Sequence, residues 1–110
     1  MKQRRINPEI LPYECSDLLE RLAQFVSLRR RQIRWTQADL AAKAEVGLST
    51  VAQMERGAPS VQIGHWLKVF WALQEIGRLS QLVDPASMDP RGVADLLGEL
   101  PKRVQPRRKR

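Results

Sequence analysis

The chain is short of several things at once. It has one cysteine in 110 residues, so no internal disulfide can form and a reducing compartment is expected. Cys15 has no neighbouring base to make its thiol a nucleophile and reads as a small buried or half-buried side chain. His65, the single histidine, lacks the cysteine partners of a metal site. No Ser/His/Asp set, glycine-rich phosphate loop or paired carboxylates are present, so neither catalysis nor a cofactor is expected. No apolar run reaches the ~18 residues of a membrane-spanning helix, and the basic start MKQRRINPEILPYE lacks the apolar stretch of a signal peptide. A cytoplasmic protein is expected, not a membrane one. Acidic side chains are scarce too: 12 against 19 lysines and arginines, for a net charge of +7. That balance favours a polyanionic partner.

What the chain has in plenty is helical patterning. Its length suits one domain with tails. Residues 1–14 form a basic arm carrying Lys2, Arg4 and Arg5, broken by Pro8 and Pro12. Leu18, Leu19, Leu22, Phe25 and Val26 then recur at spacings of three and four, which predicts a helix from Ser16, as N-cap, to about Ile33. Arg29, Arg30, Arg31 and Arg34 sit near its end, where cations suit the helix dipole and where phosphate contact is a candidate role.

The sharpest local signal is Trp35-Thr36-Gln37-Ala38-Asp39-Leu40. Thr36 and Asp39 make a capping box with aspartate in place of glutamate, and Trp35 and Leu40 stand at the positions of a hydrophobic staple. A second helix therefore starts at Gln37, kept slim by its alanines. Glu45-Val46-Gly47 interrupts the pattern. A third helix runs from Leu48 to Glu55 with Val51 and Met54 inward, and Gly57 with Pro59 closes it. Leu48-Ala52-Arg56 and Ser49-Gln53 form two outward columns. Further helices are predicted at Ile63–Leu73 (apolar stripe Ile63, Trp66, Leu67, Phe70, Leu73), at Ile76–Val83, and at residues 89–99 with Asp89 as N-cap. The tail PKRVQPRRKR carries six positive charges and two prolines and reads as disordered when alone. The domain plan is thus a 1–14 arm, a 15–83 helical domain and an 84–110 extension, all-α throughout.

Two short helices joined by a tight turn, with a helix before and more behind, form a helix-turn-helix pattern. Thr36 to Gly57 resembles the Xre and lambda-repressor superfamily in the Thr36-Gln37 start, Leu40-Ala41, Val46, the Ser49-Thr50-Val51 run and the Met54-Glu55-Arg56-Gly57 end. The resemblance covers roughly residues 16–83. It implies a five-helix lambda-repressor-like fold and a homodimer that binds a palindromic double-stranded DNA operator and represses transcription. It implies that the start of the second helix, at Thr36 and Gln37, meets phosphate. Leu48, Ser49 and Gln53 fall on base-reading positions, Thr50 and Arg56 on phosphate, and Arg30 with Glu55 on a structural ion pair. Two residues depart from the pattern: Glu45 stands where glycine is usual, and Gly47 where serine or threonine is usual. Val61-Gln62-Ile63-Gly64, the Trp66–Leu73 run and Leu100-Pro101-Lys102-Arg103-Val104 look like HipB-type antitoxins, which implies autoregulation and a HipA-like kinase toxin as partner. A prophage or plasmid repressor without a toxin, and a protein-interaction module that uses the fold without reading DNA, stand as alternatives.

Overall fold

A computed structural model describes residues 10–99. The basic arm up to residue 9 and the tail from residue 100, including Leu100–Val104, lie outside the described residues. Among those described there are six α-helices and no strand: α1 (Tyr13–Gln32), α2 (Gln37–Ala44), α3 (Leu48–Glu55), α4 (Ile63–Ala72), α5 (Ile76–Leu82) and α6 (Pro90–Glu99), with a 3-10 turn at Pro85–Ser87. No helix among them is long and apolar enough to cross a membrane.

α1 starts three residues before the predicted Ser16. Pro12 takes the N-cap place, and its carbonyl accepts the amides of Cys15 (2.9 Å) and Ser16 (3.0 Å). Proline donates no amide, so it starts a helix well where it would break one further in. Tyr13 and Glu14 therefore belong to the helix rather than to the arm. Cys15 is exposed, not buried, because it lies in the first turn, beyond the part of α1 that the core covers.

Contacts divide the chain into two units, one up to Gly77 and one from Arg78 onward. The first holds the core: Ala23 and Val26 of α1, Leu40, Ala41 and Ala44 of α2, Val51 and Met54 of α3, and Trp66, Val69, Phe70 and Leu73 of α4 and its end. No polar or charged residue among those described is fully buried. Phe25 stacks on Phe70 at 5.4 Å, and Trp66 tilts against Phe70 at 6.5 Å. The small side chains of Ala41 and Ala44 let α2 lie close to α3 and α4, as the alanine-rich sequence suggested.

The inward stripe of α4 differs from expectation. Val69 is buried, whereas Ile63 and Leu67 are exposed and share an outer face with Trp71, which is 63% exposed. Positions 66, 69, 70 and 73 follow the helical repeat on one face, and 63, 67 and 71 follow it on another, so α4 is apolar on two sides and the core can cover only one. Trp66, on the inward side, is only 7% exposed.

Four successive helices close in the same way. The first residue past α2, and the second past α1, α3 and α4, is left-handed; its amide bonds three residues back, and the next amide bonds five residues back. For α1 these are Arg34 (φ 63°) to Arg31 at 3.0 Å and Trp35 to Arg30 at 3.0 Å. For α2 they are Glu45 (φ 58°) to Ala42 at 3.3 Å and Val46 to Ala41 at 3.0 Å. For α3 they are Gly57 (φ 78°) to Met54 and Ala58 to Gln53, both 3.0 Å. For α4 they are Gln74 (φ 63°) to Trp71 at 2.9 Å and Glu75 to Phe70 at 2.8 Å. A side chain disfavours the left-handed region by about 1–2 kcal/mol, and here only α3 has glycine. The turn after α2 thus keeps the glycine-type conformation with glutamate in it.

In the second unit, Asp84 caps the 3-10 turn by accepting the Ala86 amide at 3.0 Å. Asp89 starts α6, its carbonyl accepting Val93 N–H at 3.0 Å and its carboxylate Gly92 N–H at 3.4 Å.

Candidate functional site

The left-handed turn at Arg34 delivers Trp35 and Thr36 to the start of α2. Thr36 Oγ1 accepts the Asp39 amide at 3.0 Å, and Asp39 Oδ2 accepts the Thr36 amide at 2.8 Å. The capping box predicted from the sequence is therefore present. The backbone hydrogen bond from Thr36 holds the Asp39 carboxyl below its ordinary range. Leu40 N–H goes to the Thr36 carbonyl at 3.0 Å. The amides of Gln37 and Ala38, first in α2, remain for an outside acceptor at the positive end of the helix dipole. Asp39 already places one negative charge there. Lys43, one turn on, lies 5.6 Å from the centre of the Trp35 ring.

The Gln37 side chain turns inward: its Nε2 donates to Glu55 Oε1 at 3.0 Å. Glu55 also receives a fork from Arg30, Nε to Oε2 at 2.7 Å and Nη2 to Oε1 at 3.0 Å. A third Arg30 nitrogen, Nη1, donates to the Trp35 carbonyl at 2.7 Å. The two side chains are only 12% and 6% exposed. Burial pushes the Glu55 carboxyl up, but the hydrogen bonds from Arg30 and Gln37 outweigh it and hold the group ionised below its ordinary range. The hydrogen bond that Arg30 donates to Glu55 in turn raises the Arg30 guanidinium. One carboxylate at the end of α3 thus ties together α1, the start of α2 and the turn between them.

The rest of the arginine cluster divides. Arg29 pairs with Glu75 (Nε to Oε2, 3.0 Å) and reaches Gln32 at 3.1 Å. Arg31 folds back on Ser27 at 2.8 Å. Arg29 and Arg30 are therefore committed inside the unit, while Arg31 and Arg34 stay exposed. The sequence did not signal the Arg29–Glu75 pair, because it joins two helix ends distant along the chain.

The two sides of α3 are unlike. Val51 and Met54 are completely buried and Glu55 is clamped. On the other side Leu48 is 52% exposed, and Ser49, Gln53 and Arg56 are exposed as well. Thr50 and Ala52 are half-buried at the margins. Among the described residues, no side-chain hydrogen bond or ion pair engages Ser49, Thr50, Gln53 or Arg56. The structure thus brings Leu48, Ser49, Gln53 and Arg56 onto one open face, with Thr50 beside it. Thr36 and Gln37 lie at the start of the neighbouring helix. Gly47, before α3, has an ordinary extended backbone (φ −71°, ψ 152°) and gives no side-chain cap. A Cβ there would meet only Thr50 Oγ1 at 3.7 Å and Ser49 Oγ at 4.0 Å.

No group of three or more potential metal ligands exists among the described residues. No family model matches the chain, and no match is found among curated proteins or solved structures.

Proposed function

We propose that this chain is a sequence-specific DNA-binding repressor of the lambda-repressor-like helix-turn-helix type. In this reading α3 lies in the major groove and α2 crosses the backbone. The observation that carries it is the two-sidedness of α3, fixed inside by Val51, Met54 and Glu55 and open outside at Leu48, Ser49 and Gln53. Groove-reading positions need short polar and apolar side chains, and phosphates need cations and free amides. Arg56, Arg34 and the amides of Gln37 and Ala38 supply the second set, and the net charge of +7 supplies long-range attraction.

The reading includes a homodimer, because two half-sites about one helical turn (~34 Å) apart make a palindromic operator. The narrower proposal is an autoregulating antitoxin with a HipA-like kinase toxin as partner. It rests on the HipB-type resemblance of Val61–Gly64 and the Trp66–Leu73 run. A kinase gene of that type beside this one supports the antitoxin; phage genes in its place support a repressor without a toxin.

A protein-interaction module is the competing class. The exposed line Ile63, Leu67 and Trp71 on α4 favours it, since large apolar side chains in a row commonly meet a partner. Fluorescence anisotropy with the DNA upstream of its own gene and with random DNA, across a salt series, decides between them. Preference for the upstream DNA that survives physiological salt supports the repressor. Two indistinguishable, steeply salt-dependent curves refute it.

A further inference from the structure

We propose that the bases read by the first two turns of α3 are A·T pairs, and that Leu48 reads the thymine 5-methyl group. The inference rests on the DNA-binding reading and deepens it by assigning what that face recognises.

The chemistry of the open face leads there by what it can and cannot offer. A guanine is read best by an arginine or lysine fork on its O6 and N7. Neither residue occurs from Leu48 to Glu55; Arg56, the C-cap of α3, stands a turn beyond Ala52, past the first two turns, and is assigned to phosphate. A cytosine N4 is read by a carboxylate. The one carboxylate of α3 is Glu55, and both of its oxygens are taken by Arg30 and Gln37. Three kinds of reader remain. Gln53, exposed and unbonded, has the paired donor and acceptor that match adenine N6 and N7. Ser49 accepts either kind of base. Leu48 has no polar atom to offer and is 52% exposed, so it loses its contact with water only by packing on an apolar group. The thymine methyl is the apolar group that a base pair presents in the major groove.

The placement of these side chains agrees with the pairing of bases. Leu48 and Ala52 are four residues apart and form an apolar column; Ser49 and Gln53 form a polar column beside it. An A·T pair shows a methyl from one strand next to an amino group and ring nitrogen from the other. An apolar column alongside an amide column is complementary to that pattern.

The experiment has two stages. Full-length protein first selects duplexes from a random-sequence pool. Each thymine in the enriched half-site is then replaced by deoxyuridine, which removes the methyl and keeps every hydrogen-bonding atom. Affinity is expected to fall about fourfold at one position per half-site, the worth of one buried methyl group. The thymine-to-uridine ratio is expected to stay constant as salt rises while both affinities fall, because an apolar contact releases no counterions. Leu48→Ala, a change on the surface, is expected to bind both duplexes equally. That variant separates contact from an effect of the methyl on DNA shape, since a shape effect would persist without the leucine. A half-site enriched in G·C pairs at these positions, or uridine duplexes bound as tightly as thymine ones, overturns the proposal and leaves the repressor standing. A pool with no enriched sequence overturns both.

Discussion

Arg30 of α1 and Glu55 of α3 meet through two parallel hydrogen bonds of 2.7 and 3.0 Å, with a further Arg30 nitrogen on the carbonyl of Trp35. The fork holds the C-terminal end of α3 to α1, two helices earlier in the chain. Removing one partner leaves the other charge nearly buried and unpaired, and such losses run to about 3–5 kcal/mol. Glu55→Ala and Arg30→Ala are each expected to lower the urea midpoint by an amount near the lower end of that range. Replacing both at once, as Arg30→Met with Glu55→Leu, is expected to recover much of the loss. A double variant no better than either single one shows that the pair's stabilisation exceeds its desolvation cost.

The same carboxylate sets a pH dependence. Glu55 is held below its ordinary range in the folded chain, so the unfolded chain binds its proton first as pH falls. Its contribution is fully present above the ordinary glutamate pKa of about 4.3 and is lost as pH falls through the lower folded value. Asp39, lowered by the Thr36 amide, acts in the same direction. Stability measured by urea unfolding is expected to be level from pH 7 to about pH 5 and to fall below that. Glu55→Gln is expected to start lower and to fall less steeply. An unchanged slope in that variant assigns the acid sensitivity elsewhere.

Arg34, Glu45 and Gln74 occupy left-handed positions at φ 63°, 58° and 63°. Relieving each with glycine gains about 1–2 kcal/mol in the folded state and loses about 0.4–1 through the freer unfolded chain. Glu45→Gly and Gln74→Gly are expected to raise the melting temperature by a few degrees each, and the effects are expected to add. Gly57→Ala is expected to lower it by a similar amount. Its Cβ would have room, with Glu20 atoms no nearer than 3.9 Å, so that cost is conformational.

Gln53 and Arg56 are expected to act differently on DNA. Gln53→Ala is expected to cost ~1–3 kcal/mol on a selected site and little on random DNA. Arg56→Ala is expected to weaken both alike and to reduce the salt slope by about one. Equal losses on specific and random DNA in the Gln53 variant remove that residue from base reading.

Local signals carried the helices from residue 36 to 57. Thr36 with Asp39 marked one start, and Gly57 with Pro59 marked one end; each works through bonds within five residues, so the sequence displays them. Where partners were distant, the pattern was silent. The inward face of α4 depended on which of two apolar sides met Phe25, and the Arg29–Glu75 pair on where two helix ends come to lie. The closures at Arg34 and Gln74 lacked the glycine that would have announced them. At the candidate site, the outward columns of α3 were readable from spacing alone. The inward turn of the Gln37 side chain was not, since it answers a carboxylate on another helix.

The division of α3 into a clamped side and an open side bears on how such a chain can change over time. Val51, Met54 and Glu55 answer to the interior; Ser49 and Gln53 are exposed with no side-chain hydrogen bond among the described residues, and Leu48 is 52% exposed. A lineage can therefore alter the second group without risking the first, one replacement at a time, each variant still folded. For an engineer the three open positions, Leu48, Ser49 and Gln53, are a place to vary the surface of α3 with the scaffold left as it is.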